Sequence, residues 1–279
     1  MIPQTSILTD KGLLTPPSWL PKNIIFEGIT GSISYGTATD ISDMDIVGWC
    51  IPAKEVIFPH LAGYIEGFGK QQQRFNVYQQ HHVFDKDAGR TYDISIYNIV
   101  SYFNLCMGNN PNMLDALFLP QECVLYTSKI GNMVREKRHI FLHKGCYQKF
   151  LGYAKSQLHK IETRNPKNEK RRALIEKHGY DTKYAGHLVR LLREVEQVLT
   201  TGDLDLRKDS EELKFVQNGG LPREAFRLFF ARKEAHLVSA YYQSNLPAKP
   251  REAEIKTLLL NCLEEHYGSL DDCIKSTNV

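Results

Sequence analysis

Near the start of the chain, Gly31, Ser32, Asp43 and Asp45 have the types and spacing that phosphate chemistry needs. Ile24 to Thr30 reads as a short apolar strand broken by Gly31-Ser32, a polar turn or short helix runs on to about Thr39, and Asp43 to Cys50 reads as a second strand. Side chains alternate along a strand, so Asp43 and Asp45 share a face, roughly 7 Å apart along the chain. Two ionised, half-buried carboxylates repel by about 4 kcal/mol at 4 Å and an effective dielectric near 20. A divalent cation between them removes that cost, and hard oxygen ligands suit Mg²⁺. A helix starting at Gly31 would aim unpaired N–H groups at a polyphosphate, with Gly31 allowing close approach and the Ser32 hydroxyl donating to it. The same residue types also make an ordinary surface turn capped by Asp40 and Asp43. The Gly-Ser step upstream and the apolar runs on both sides favour the chemical reading.

Two further groups invite the same question. Arg74 to Phe84 and Arg90 to Tyr97 read as two strands of a hairpin around the turn 85–89. The second arm carries Asp93 among apolar and aromatic neighbours, where a charge needs a partner; an edge position facing solvent, or a helix cap, is the alternative. Further on, Asp181 to Thr200 predicts an amphipathic helix with Ala185, Leu188, Val189, Leu192, Val195 and Leu199 on one face. Lys183, His187, Arg190 and Glu194 follow one another on the opposite face. That face is either solvated, with an Arg190–Glu194 helix pair, or a second lining of the cleft in which Lys183 and Arg190 neutralise a triphosphate and His187 hydrogen-bonds to nucleotide or leaving group.

Four motifs carry a resemblance: Gly-Ser-x-x-Tyr-Gly-Thr-x-Thr (31–39), Ser-Asp-x-Asp (42–45), Gly-Asn-Asn-Pro-Asn (108–112) and Tyr-Asp-x-Lys-x-x-x-His-x-x-Arg-Leu (180–191). Gly-Ser followed by Asp-x-Asp resembles the signature of the polymerase-β-like nucleotidyltransferase superfamily. Together the four resemble one family within it, the RNA-repair-pathway polymerase-β family of bacteria and phages, over roughly residues 23–205. The resemblance implies an α+β chain: a minimal nucleotidyltransferase fold, a mixed sheet with helices, followed by a helical domain. It implies that Asp43 and Asp45 hold two Mg²⁺ ions (or Mn²⁺), that Asp93 completes the metal site and helps deprotonate the acceptor, and that Gly31 and Ser32 hold the nucleotide phosphates. Lys183, His187 and Arg190 become nucleotide-binding candidates.

The elements that must position these residues are less evenly legible. Residues 1–22 form a lead-in in which Pro16, Pro17 and Pro21 disfavour helix. Leu61 to Gln73 fits no pattern. Ile96 to Met107 reads as a helix, with a second from about Asn112, its cap, to Phe118. From Val124 the pattern turns helical, which sets a boundary between a nucleotidyltransferase domain, 1–127, and a helical domain, 128–279. Tyr147, Phe150 and Tyr153 have helical spacing and read as core. His81-His82 and His139/His143 lack matching acid or Cys partners and read as ordinary polar residues.

Bulk composition excludes more than it assigns. With 279 residues, 42% hydrophobic and 24% charged, the chain can build a proper core. Its net charge of +3 is too small to argue for nucleic acid by itself. Six scattered Cys without a C-x-x-C pair speak against structural zinc or a disulfide framework. No apolar run reaches the ~18 residues of a membrane span and no signal region opens the chain, so a cytoplasmic protein is expected. Lys155 to Lys177 is strongly basic, a nucleic-acid footprint or a solvated face. The expected activity is transfer of a nucleoside monophosphate from an NTP or dNTP to a hydroxyl, first of all a nucleic-acid (RNA or tRNA) 3′ end. The alternatives are a protein side chain or small molecule as acceptor, and a non-catalytic binding module.

Overall fold

A computed structural model describes residues 2–39, 42–58, 60, 74–163 and 169–268. Leu61 to Gln73, and Arg164 and Lys167 of the basic stretch, lie outside the described residues, as does the side chain of Lys170.

Among the described residues, five strands form one sheet: β1 (Ile24–Ile29), β2 (Met44–Cys50), β3 (Val77–Asp85), β4 (Arg90–Asn98) and β5 (Val124–Thr127), in the order β3-β4-β2-β1-β5. Neighbours are antiparallel except β2 and β4, which run parallel with Asp45 opposite Asp93. The expected β3–β4 hairpin is present. β5 has no counterpart in the sequence pattern: its four residues carry no alternation to read, and it exists because the β1 edge is free to pair with it.

Around the sheet lie α1 (Gln4–Asp10), α2 (Gly31–Ser34), α3 (Lys54–Ile57), α4 (Ile99–Met107), α5 (Pro111–Leu117) and α6 (Lys129–Glu136). The helical half follows with α7 (Cys146–Thr163), α8 (Glu169–His178), α9 (Thr182–Thr201), α10 (Ser210–Gln217), α11 (Ala225–Gln243) and α12 (Glu252–Tyr267). The chain is thus α+β with a helical C-terminal region. α1 overturns the expectation of an irregular lead-in, since the three prolines fall after it. Its first N–H groups, from Gln4 and Thr5, donate to the carboxylate of Glu27, fully buried in β1.

Both faces of the sheet are covered. Leu8, Leu14 and Leu20 pack on Ile46, Ile94 and Ile96. On the other face Phe26, Trp49 and Tyr102 stack in sequence at 4.1 and 4.3 Å between ring centroids. That stack opens into one continuous apolar cluster that reaches α9, α11 and α12.

The Gly108–Asn112 motif has a local job. Asn109 takes a left-handed backbone (φ 48°) and its side-chain amide donates to the carbonyls of Cys106 and Phe141. Asn110, rather than Asn112, caps α5, and Pro111 occupies the first turn, where no N–H is needed. This seats α5 and its Asp115.

Candidate active site

The site is built where β2 and β4 begin. β2 starts at Met44, so Asp43 stands one residue before the strand instead of on it, exposed, while Asp45 is half-buried on the helix-covered face. Parallel register sets Asp93 beside Asp45 on the neighbouring strand, about 4.8 Å away in the hydrogen-bonding direction. The Asp45 carboxyl is pushed up to about 6, first by burial and then by the negative charges of Asp93 and Asp43; Lys183 and His81 pull the other way. Three carboxylates and one lysine therefore act on one another here.

Gly31 closes the site from the β1 side. Its φ is +68°, and a Cβ there would come within 2.2 Å of Asp45 Oδ2, so no side chain fits. Thr30, its neighbour, donates its N–H to the Asp45 carbonyl at 2.8 Å, tying the turn to β2. The Ser32 carbonyl accepts from the Thr37 N–H at 2.9 Å, which folds residues 31–37 into a compact loop. Among the described residues the Ser32 hydroxyl has no hydrogen-bond partner and is free to donate to a ligand.

β3 supplies a feature that the histidine pattern does not announce. A bulge between Gln80 and Val83, with His82 at φ 57°, bends the strand toward Asp93. The His82 N–H donates to Asp93 Oδ1 at 2.6 Å, and the rings of His81 and His82 lie 3.7 and 3.8 Å from the same oxygen. This occupies one oxygen of Asp93 and leaves the other for a ligand. A bulge depends on two-against-one strand pairing, so only the fold discloses it. His139 and His143 are remote from this arrangement, on Asp203 (2.9 Å) and the Met107 carbonyl (2.8 Å).

α9, started by Asp181, whose side chain accepts from the Lys183 N–H, brings Lys183 within electrostatic reach of Asp45. Its expected apolar face is wholly buried. Lys183 and His187 are exposed. His187 is solvent-accessible at one edge yet closely surrounded: burial, then the charges of Arg190, Arg171, Lys160 and Lys183, lower it to about 3, so its ring is neutral at pH 7. Lys160 and Arg171 are additions to the residues expected around this cleft; Arg171 lies 4.4 Å over the Tyr184 ring and 2.7 Å from Asp181.

Arg190 and Glu194 depart from expectation. Both are buried, at 4% and 3% exposure. The guanidinium bonds to Asp115 of α5 and to both Glu194 oxygens (3.0 and 3.1 Å), so it is not offered to a phosphate in the cleft. Helical periodicity reports one helix's own stripe; it does not disclose that α5 covers the other.

The donor set fits a divalent ion. Burial first, and then the negative charges of Asp93 and Asp43, drive the Asp45 carboxyl toward protonation, a cost that a hard cation removes. Among the described residues no three ligating side chains form a ready cage, as suits an ion that keeps waters and takes ligands from substrate phosphates.

The match of this sequence to a family model runs from residue 14 to residue 272 and is to the RNA repair pathway DNA polymerase beta family. The chain belongs to that family. It is accordingly a nucleotidyltransferase of the polymerase-β type. The match reaches beyond the 23–205 span of the sequence resemblance, through α11 and α12. A nucleotidyltransferase-like protein from Exiguobacterium sibiricum is similar in structure at 10% identity, with 94% of this chain and 72% of that one covered and a TM-score of 0.31. No curated protein matches the sequence. Among the described residues no helix is long and apolar enough to cross a membrane.

Proposed function

We propose that the protein transfers a nucleoside monophosphate from an NTP or dNTP to a hydroxyl group, with a nucleic-acid 3′ end as acceptor, and that it does so with Mg²⁺. The observation that carries this is the pairing of Asp45 with Asp93 across parallel strands, directly beside a glycine that leaves no room for a side chain. Asp43, Asp45 and Asp93 would hold the divalent ions, which when bound supply charge neutralisation at the transferred phosphoryl group and make the acceptor hydroxyl more acidic. Asp93, on the strand farther from the Gly31 turn, is the carboxylate suited to take the acceptor proton. Residues 31 and 32 receive the β and γ phosphates through backbone N–H groups and the Ser32 hydroxyl. Lys183 offsets their charge from α9, and the neutral His187 ring offers a hydrogen bond without adding charge. These contributions position and neutralise, which is most of what phosphoryl transfer asks of a protein.

The acceptor reading is supported by the family's RNA-repair description and by the exposed basic residues Arg172 and Lys177 of α8. The test is incubation of the whole protein with Mg²⁺, each labelled NTP and dNTP, and pools of RNA, DNA and protein. Label on RNA or DNA, reduced by about 10²-fold or more in Asp45→Asn and Asp93→Asn, is the expected result. Label on protein alone would replace the nucleic-acid acceptor. Labelling that survives both substitutions would remove the metal site itself.

A further inference from the structure

The Gly31–Ser34 turn cannot hold itself in place. It is a single helical turn, too short to offset the cost of nucleating a helix; it begins on one glycine with positive φ, Gly31 (+68°), and is followed by another, Gly36 (+70°). Gripping a phosphate nonetheless asks for placement to within about 0.5 Å. The anchors come from elsewhere in the chain. The Tyr35 hydroxyl donates to Asp115 Oδ2 at 2.5 Å. Arg190 lies 4.6 Å over the Tyr35 ring and bonds to the same Asp115 oxygen. The Ser210 Oγ lies 2.7 Å from the Tyr35 carbonyl and 2.6 Å from the Arg207 carbonyl, so its one proton is shared between them, and Arg207 Nε reaches the Ser34 carbonyl at 3.4 Å.

The geometry points to Tyr35 as a positioning residue for nucleotide binding: through Asp115 and Arg190 it fixes the phosphate-binding turn relative to α9, the helix that carries Lys183 and His187. The inference rests on the reading of residues 31–32 as the phosphate grip and extends it to a residue that touches no substrate. Two observations separate this role from core filling. The cluster is ionic and almost fully buried, with Asp115 at 1% and Arg190 at 4% exposure, a kind of interaction that seldom stabilises more than apolar packing of the same volume. It is also incompletely satisfied, since Arg190 Nε and Asp115 Oδ1 have no hydrogen-bond partner among the described residues. What such a cluster does supply is one permitted arrangement of the groups it joins. Arg190 is shared between α9 and the turn, so displacing either one breaks bonds to Asp115.

The experiment measures NTP affinity of the full chain by equilibrium dialysis with Mg²⁺ and no acceptor, alongside kcat, NTP KM and thermal stability. Tyr35→Phe keeps the ring under Arg190 and deletes the hydroxyl. It should raise the NTP Kd and KM about 10-fold, the effect expected for one hydrogen bond to a charged group, and leave acceptor affinity unchanged. Ser210→Ala, which removes the grip on the Tyr35 carbonyl, should shift the same parameters in the same direction. Val195→Ala, a cavity in the core face of α9, should lower Tm without moving the NTP Kd. Wild-type affinity in both Tyr35→Phe and Ser210→Ala overturns the positioning role. So does a weakening that merely tracks Tm as it does in Val195→Ala. A wild-type protein that binds no NTP overturns instead the phosphate-grip reading on which the role depends.

Discussion

At Asp45 the folded state's stability and its readiness to take a cation pull in opposite directions. Its ordinary value of 3.8 rises to about 6 in the folded protein, so between those values the folded state binds the proton more tightly than the unfolded chain. Stability from this group is therefore present at low pH and is lost as pH rises from about 4 to about 6. At pH 7 the ionised carboxylate opposes the metal-free fold by about 1–2 kcal/mol after allowance for solvent screening. Asp45→Asn should then raise the melting temperature of metal-free protein at pH 7, leave it nearly unchanged at pH 4, and lower transfer by about 10²-fold or more. Adding Mg²⁺ should stabilise the wild type more at pH 7 than at pH 5, because a protonated carboxyl is a poor ligand. Calorimetric scans at these pH values check both signs; a destabilised Asp45→Asn protein at pH 7 would mean that the carboxylate is compensated by the protein alone.

At the level of elements, α8 divides its charges between two tasks. Arg171 turns inward onto Tyr184 and Asp181, whereas Arg172 and Lys177 face solvent. Its basic run is thus not a single footprint. The double substitution Arg172→Glu and Lys177→Glu should weaken RNA binding, with the NTP KM unchanged. It should also flatten the salt dependence of that binding, by about 0.7–0.9 in slope for each phosphate that is no longer neutralised. Fluorescence anisotropy between low and moderate salt reads this directly. An unchanged slope would take α8 out of the acceptor path. The β3 bulge belongs to the same scale: by inserting a residue opposite β4 it brings two imidazoles to Asp93, which regular pairing would keep along the strand.

Across the whole molecule, the first and last described helices are tied to the sheet. α12 returns to it, with the Tyr267 hydroxyl donating to the Pro52 carbonyl just beyond β2. At the other end α1 is held by Glu27, whose carboxyl burial pushes up to about 7 while the N–H groups of Gln4 and Thr5 favour its charge. Its folded value lies above the ordinary 4.5, so its contribution to stability is full at low pH and is lost as pH rises through about 7. Glu27→Gln should therefore stabilise the protein at pH 8 by about 2 kcal/mol and leave it nearly unchanged at pH 4. Chemical denaturation at the two pH values measures the difference, and equal effects at both would show that the carboxylate is neutral throughout.

Much of the candidate site is legible in the sequence, because its assembly depends on residue type at short spacing. Gly31, Ser32, Asp43 and Asp45 stand within one strand–turn–strand, and the apolar face of α9 is written in its 3.6-residue period. Asp93 was legible as an acid out of place in an apolar strand. Tyr35 stood in the Gly-Ser-x-x-Tyr-Gly-Thr motif, but its role depends on Asp115, 80 positions away. The burial of Arg190, the aim of His81 and His82 and the pairing of β5 likewise rest on contacts between distant segments. The sequence by itself determined which residue types stand at the spacing that metal and phosphate binding would need. Only the tertiary structure decided which charges face the cleft and which neutralise one another inside, because burial and partnership are properties of packed elements and not of any one of them.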